Sequence, residues 1–63
     1  METFILTERI TKEEIKIKAI SWKIEDYQHT FYCTDDMEQK IVIRSYTTRF
    51  WDLTDRYKDE ELV

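Results

Sequence analysis

"TTRFWDLTDRYKDE", residues 47 to 60, separates an α+β chain from an all-β one. Phe50, Leu53 and Tyr57 recur at intervals of three and four, the spacing of one face of a helix, and Trp51 and Leu62 widen that arc. Asp52, Asp55, Arg56 and Asp59 fall on the other side. Asp52–Arg56 and Arg56–Glu60 stand four residues apart, which supports a helix by roughly 0.2–0.5 kcal/mol per pair. Thr47 or Thr48 supplies an N-cap hydroxyl. The spacing therefore predicts a C-terminal α-helix over roughly 48–60, fraying where Asp59, Glu60 and Glu61 oppose the helix dipole.

Upstream the period is two. "KIVIRSYT" (40–47) and "QHTFYC" (28–33) alternate, and the polar "TDDMEQ" (34–39) between them reads as the loop of a hairpin. "TFILTERI" (3–10) reads as a first strand. "TKEE" (11–14) has the spacing of a capping box, but a helix through "IKIKAISWKIED" would set Ile15, Ala19 and Trp22 opposite Ile17, Ile20 and Ile24. Read as a strand, the same run changes parity, which predicts a bulge near Ala19–Ile20. The expected fold class is α+β: one domain over 1–63, an antiparallel β-meander of about four strands (roughly 3–10, 15–24, 28–34 and 40–47), and the helix packed on one face.

A chain of 63 residues lies near the lower size limit for folding without disulfide or metal. Two tryptophans, three phenylalanines and four tyrosines provide large buried areas for a small core. Glycine, proline and asparagine are all absent. These include the residues that most easily take positive φ, so type I′ and II′ turns are not expected. A glycine-rich phosphate loop is excluded. One cysteine, and no apolar run of membrane-spanning or signal-peptide character, point to a cytoplasmic protein, in host cytoplasm if phage-encoded.

"HTFYCTDD" (29–36) gathers the only histidine, the only cysteine and two aspartates. On a strand, His29 and Cys33 share a face but stand about 13 Å apart at about 3.3 Å per residue, with Phe31 between them. They cannot chelate one ion or act as base and nucleophile, and Asp35–Asp36 suits a turn. No catalytic set, metal or cofactor is expected.

The net charge of -4 is unevenly spread. Arg9 to Arg49 holds eight basic and seven acidic residues, whereas five acids face two bases from Asp52 onward. The expected function is that of a small acidic non-enzymatic protein-binding domain. Such a domain resembles, in size and charge only, phage or mobile-element inhibitors and regulators that occupy a basic surface of a host protein, some as nucleic-acid mimics. The residues offered to that partner are Asp35, Asp36 and Glu38 at the hairpin loop, and Asp52, Asp55, Asp59 and Glu60 on the helix. An alternative is a sheet face for single-stranded nucleic acid carrying Lys16, Lys18, Tyr32, Arg44 and Tyr46, with aromatics and bases interleaved. A third is a structural subunit that associates with itself as a homo-oligomer.

Overall fold

The computed structural model describes residues 1–58 and is all-β. Six strands follow in chain order: β1 (Glu2–Glu8), β2 (Glu14–Ala19), β3 (Ser21–Glu25), β4 (Gln28–Thr34), β5 (Lys40–Thr47) and β6 (Trp51–Lys58). They form two antiparallel three-stranded sheets, ordered β2-β1-β6 and β3-β4-β5. No helix occurs among the described residues, so the α+β expectation and the helix over 48–60 are corrected: that segment is a turn followed by a strand.

The pairing of β6 with β1 explains the error. Register runs from Glu8↔Trp51 through Leu6↔Leu53, then jumps to Ile5↔Asp55, leaving Thr54 as the extra residue of a β-bulge. Before the bulge, Trp51 and Leu53 pack on the core. After it the parity reverses, so Arg56 pairs with Phe4 while Tyr57 pairs with Thr3 on the outer face. The helix-like series Phe50, Leu53, Tyr57 thus samples a turn, an inner face and an outer face. Thr54 Oγ1 donates to the Ile5 carbonyl at 3.4 Å, beside the break in the ladder. Charges spaced for i,i+4 pairing instead pair across strands: Asp52 with Arg9 at 2.8 Å, and Arg56 with Glu2 at 2.7 Å.

The single meander is corrected too. The run 15–24 divides at Ile20 into two strands that belong to different sheets, and the expected parity change is where the chain crosses between them. Ala19 is buried in the core, Ile20 is exposed and donates its N–H to the Tyr32 carbonyl, and Trp22 packs inward again. The hairpin of β4 and β5 carries a second bulge, at Ile43, between Phe31↔Arg44 and Tyr32↔Val42.

The sheets meet through Phe4, Leu6, Ile17 and Ala19 on one side and Phe31 on the other, with Trp22, Cys33, Tyr46, Trp51 and Leu53 packed around them. Phe4 and Phe31 touch edge to face at 5.2 Å, a preferred aromatic geometry. The thinnest extent of the backbone is 13 Å, as two layers about 10 Å apart require. His29, on the same face of β4 as Phe31, is buried. Its Nδ1 accepts from the Trp22 indole N–H at 3.1 Å, and its Nε2 lies 2.9 Å from the Trp51 carbonyl. An indole nitrogen can only donate, so the imidazole proton sits on Nε2 and is given to Trp51. One side chain therefore ties β3, β4 and β6 together.

The turns overturn the expectation drawn from composition. Lys12, Asp26, Tyr27 and Glu38 all have positive φ, 64°, 50°, 59° and 59°. Asp26 and Tyr27 are the two central residues between paired Glu25 and Gln28, as in a type I′ hairpin. That turn matches the strand twist, and strand pairing imposes it although each non-glycine residue there costs about 1–2 kcal/mol. Tyr27 is held in place by its carbonyl, which accepts from both the N–H and the hydroxyl of Thr48 at 2.9 and 3.0 Å.

Two outcomes follow for stability. Asp26→Asn with Tyr27→Gly supplies the residues a type I′ turn favours and should raise the thermal midpoint, stabilising by about 1 kcal/mol. Phe31→Ala should cost about 3–5 kcal/mol, enough to unfold most of a domain this small at 25 °C. Circular dichroism melts read both; an unchanged or lower midpoint for the turn variant would show that the turn is not strained.

Candidate functional site

The acidic residues do not form one array. Asp35 organises the β4–β5 loop: its Oδ1 accepts the N–H groups of Met37 and Gln39, each at 2.9 Å, while its own N–H donates to the Gln39 carbonyl. Asp36 and Glu38 are exposed beside it on the hairpin tip. Asp52 and Asp55 lie on strand β6, not on a helix face, and Asp52 receives three short hydrogen bonds from the Arg9 guanidinium. Asp55 Oδ1 accepts the N–H of Arg56 at 2.8 Å. Asp59 and Glu60 lie outside the described residues. Three of the proposed partner-facing carboxylates, Asp35, Asp52 and Asp55, are thus engaged within the fold, and Asp36 and Glu38 are left to face solvent.

The basic set fares differently. Lys16, Lys18, Arg44 and Tyr46 come together with Ile15, Ile17 and Ile43 along a shallow groove of about 360 Å³ between β2 and β5. Tyr32 is not among them. It pairs with Ser21 and Val42, its hydroxyl donates to Glu25 Oε1 at 2.7 Å, and Lys40 Nζ stands 5.0 Å over its ring. Tyr46 turns its ring edge-on to Trp51 at 5.6 Å, so part of its surface serves the core.

A surface that sequence reasoning missed is the free edge of sheet β3-β4-β5. Ile41, Val42 and Ile43 are 43 %, 56 % and 38 % exposed on β5, whose outer side has no strand beside it among the described residues. Alternation makes such a run look half buried. Only the sheet order and the bulge at Ile43 reveal that both faces and the edge are open. Lys40 and Arg44 bracket the run, and the bulge interrupts the regular ladder; both features discourage open-ended strand addition. The side chains, rather than the backbone edge, are what the surface presents.

Three carboxyls are held below their ordinary range. Glu25 is lowered by the Tyr32 hydroxyl and then by Lys23, Asp52 by the Arg9 guanidinium, and Glu8 by hydrogen bonds from Thr11. Tyr32 is correspondingly raised by its bond to Glu25. Glu25 is exposed and Glu8, Tyr32 and Asp52 are partly exposed, so their contributions are small and screened by salt. Among the described residues no three His, Cys, Asp or Glu side chains converge to hold a metal ion. Both nitrogens of the only imidazole are committed to Trp22 and Trp51.

The depressed carboxyls fix the sign of the acid response. A carboxylate whose folded pKa lies below its unfolded value stabilises above the unfolded pKa and loses that contribution as pH falls through the folded one. Arg9→Gln and Tyr32→Phe should therefore be less stable than the parent at neutral pH and converge with it as the carboxylates protonate. Urea unfolding at a series of pH values measures this; a constant gap at every pH would contradict it. Compared with family models, with curated proteins and with solved structures, the chain matches none, so the functional reading rests on the geometry of these surfaces.

Proposed function

We propose that the chain is a small non-enzymatic binding domain that regulates or inhibits a protein partner by occupying its surface. The observation that carries this reading is the exposed Ile41–Val42–Ile43 run on edge strand β5, next to the acidic hairpin tip. Large apolar side chains stand exposed elsewhere too, Ile10 and Ile24 among them, but these three are contiguous, and a contiguous exposed apolar patch marks an interaction site. Asp36 and Glu38 add negative charge beside them, which favours a partner whose apolar groove is flanked by basic residues. The half-buried lone cysteine, Cys33, suits a reducing compartment and hence the cytoplasm. No helix among the described residues is long and apolar enough to cross a membrane.

Ile41→Lys with Val42→Lys replaces exposed side chains and should change stability by less than about 0.5 kcal/mol per site. It should nonetheless weaken capture of the partner from the source cell at least tenfold, about 1.4 kcal/mol. Asp36→Lys with Glu38→Lys should weaken capture less and make it less sensitive to salt. Equal capture by all variants would refute the reading. Sedimentation of the parent alone at several concentrations separates a foreign partner from a second copy of the chain.

A second reading is favoured by the convergence of Lys16, Lys18, Arg44 and Tyr46 on one groove. It is a surface for single-stranded nucleic acid, whose binding would fall steeply with salt and be lost in Lys16→Glu with Arg44→Glu. Absence of oligonucleotide binding at low salt would dismiss it.

A further inference from the structure

At one end of the molecule the β1–β2 turn, the β3–β4 turn and the β5–β6 connection meet around a cleft of about 640 Å³. Arg9, Tyr27, Thr47, Thr48, Arg49 and Phe50 line it. Its walls are fixed by hydrogen bonds. Thr48 donates twice to the Tyr27 carbonyl, the Arg9 N–H donates to the Phe50 carbonyl at 2.8 Å, and Arg9 Nη1 donates to the Arg49 carbonyl at 3.2 Å. The volume is that of a small-ligand site, for which about 300–1,000 Å³ is usual.

Three side chains in the cleft, Tyr27, Arg49 and Phe50, are uncommitted. Tyr27 is 85 % exposed and Phe50 45 %, and among the described residues neither ring has an aromatic or cation–π partner. The Arg49 guanidinium has no ion pair or hydrogen bond among them either. Arg9, by contrast, is neutralised by Asp52. Tyr27 also holds its exposed ring out from a left-handed backbone position that bulky side chains rarely occupy.

We propose that this cleft binds a nucleotide unit, its base stacked on Tyr27 and Phe50 and its phosphate held by Arg49. Base–aromatic stacking tolerates any base and is worth about tenfold in affinity or more per contact. Guanidinium groups take phosphate oxygens in a two-pronged geometry. A phosphotyrosine peptide fits less well, because phosphopeptide sites use clusters of arginines and here only one is unpaired. The site shares no residue with the β5 edge run or with the β2–β5 groove, so it stands or falls independently of both.

The test is an NMR titration of the ¹⁵N-labelled chain with adenosine 5′-monophosphate, tetradeoxyadenylate, adenosine, inorganic phosphate and phosphotyrosine. The nucleotide or the oligonucleotide should shift the amides of Arg9, Tyr27, Thr48, Arg49 and Phe50, and adenosine or phosphate alone should bind at least about tenfold more weakly. Tighter binding of the oligonucleotide assigns a strand as the natural source; tighter binding of the monophosphate assigns a free nucleotide. Arg49→Gln and Tyr27→Asn, with folding checked by circular dichroism, should each weaken binding about tenfold. Tyr27→Asn keeps a residue that tolerates positive φ, so its effect reports the ring and not the turn. No shift at these amides, equal binding of inorganic phosphate or phosphotyrosine, or undiminished binding in both variants would overturn the proposal.

Discussion

Everything in this fold depends on β1 lying between β2 and β6. It carries Phe4 and Leu6, two of the three largest fully buried side chains, and joins residues near both ends of the described chain into one sheet. An apolar sheet face must be buried against another layer, and each sheet here covers the other's face. Phe4 reaches Phe31 and Trp22 across the interface, and His29 reaches back to the Trp51 backbone. Without β6 beside it, β1 would lose Trp51 and Leu53, and His29 would lose its acceptor. The interface is therefore cooperative: aromatic packing and one buried imidazole bridge require both sheets at once.

This arrangement imposes its geometry on a sequence poorly supplied for it. Tight antiparallel hairpins need residues at positive φ, and the chain has neither glycine nor asparagine to offer. Asp26 and Tyr27, with Lys12 and Glu38, take those positions, and side-chain or cross-loop hydrogen bonds hold the segments around them. The two bulges have a related role. At Thr54 the bulge turns Asp55 and Tyr57 outward and brings Arg56 onto the Phe4 and Trp22 rings, at 5.2 and 5.8 Å. At Ile43 it breaks the ladder on an exposed edge.

Three surfaces combine exposed apolar or aromatic side chains with charge: the apolar β5 edge with its acidic tip, the basic β2–β5 groove, and the Tyr27–Arg49–Phe50 cleft. Charge alone does not pick them out. Asp35, Asp52 and Asp55 turn to local structure, and the Arg9 cation is matched by Asp52, so the charges left over matter more than the net -4. Exposed Ile, Val, Tyr and Phe side chains beside those leftover charges make the surfaces selective for shape as well as sign.

Two strands bounded by polar turns were legible from the residues alone, even though a bulge interrupts one of them. β4 at 28–34 and β5 at 40–47 match the expected spans, and Phe31 faces the core as alternation required. The sequence also located the parity change at Ala19–Ile20, whereas Lys16, Lys18, Arg44 and Tyr46, expected on one sheet face with Tyr32, lie along a groove between strands of two different sheets, and Tyr32 lies elsewhere. That 51–58 is a strand follows from its pairing with β1 and not from its own residue pattern. A bulge at Thr54 imitates helical spacing, and the partner that prefers the extended form, β1, lies more than forty residues away. The same holds for the cleft. Arg9, Tyr27 and Arg49 are remote in sequence and are joined only where three connections meet, through hydrogen bonds to backbone carbonyls that no side-chain pattern records.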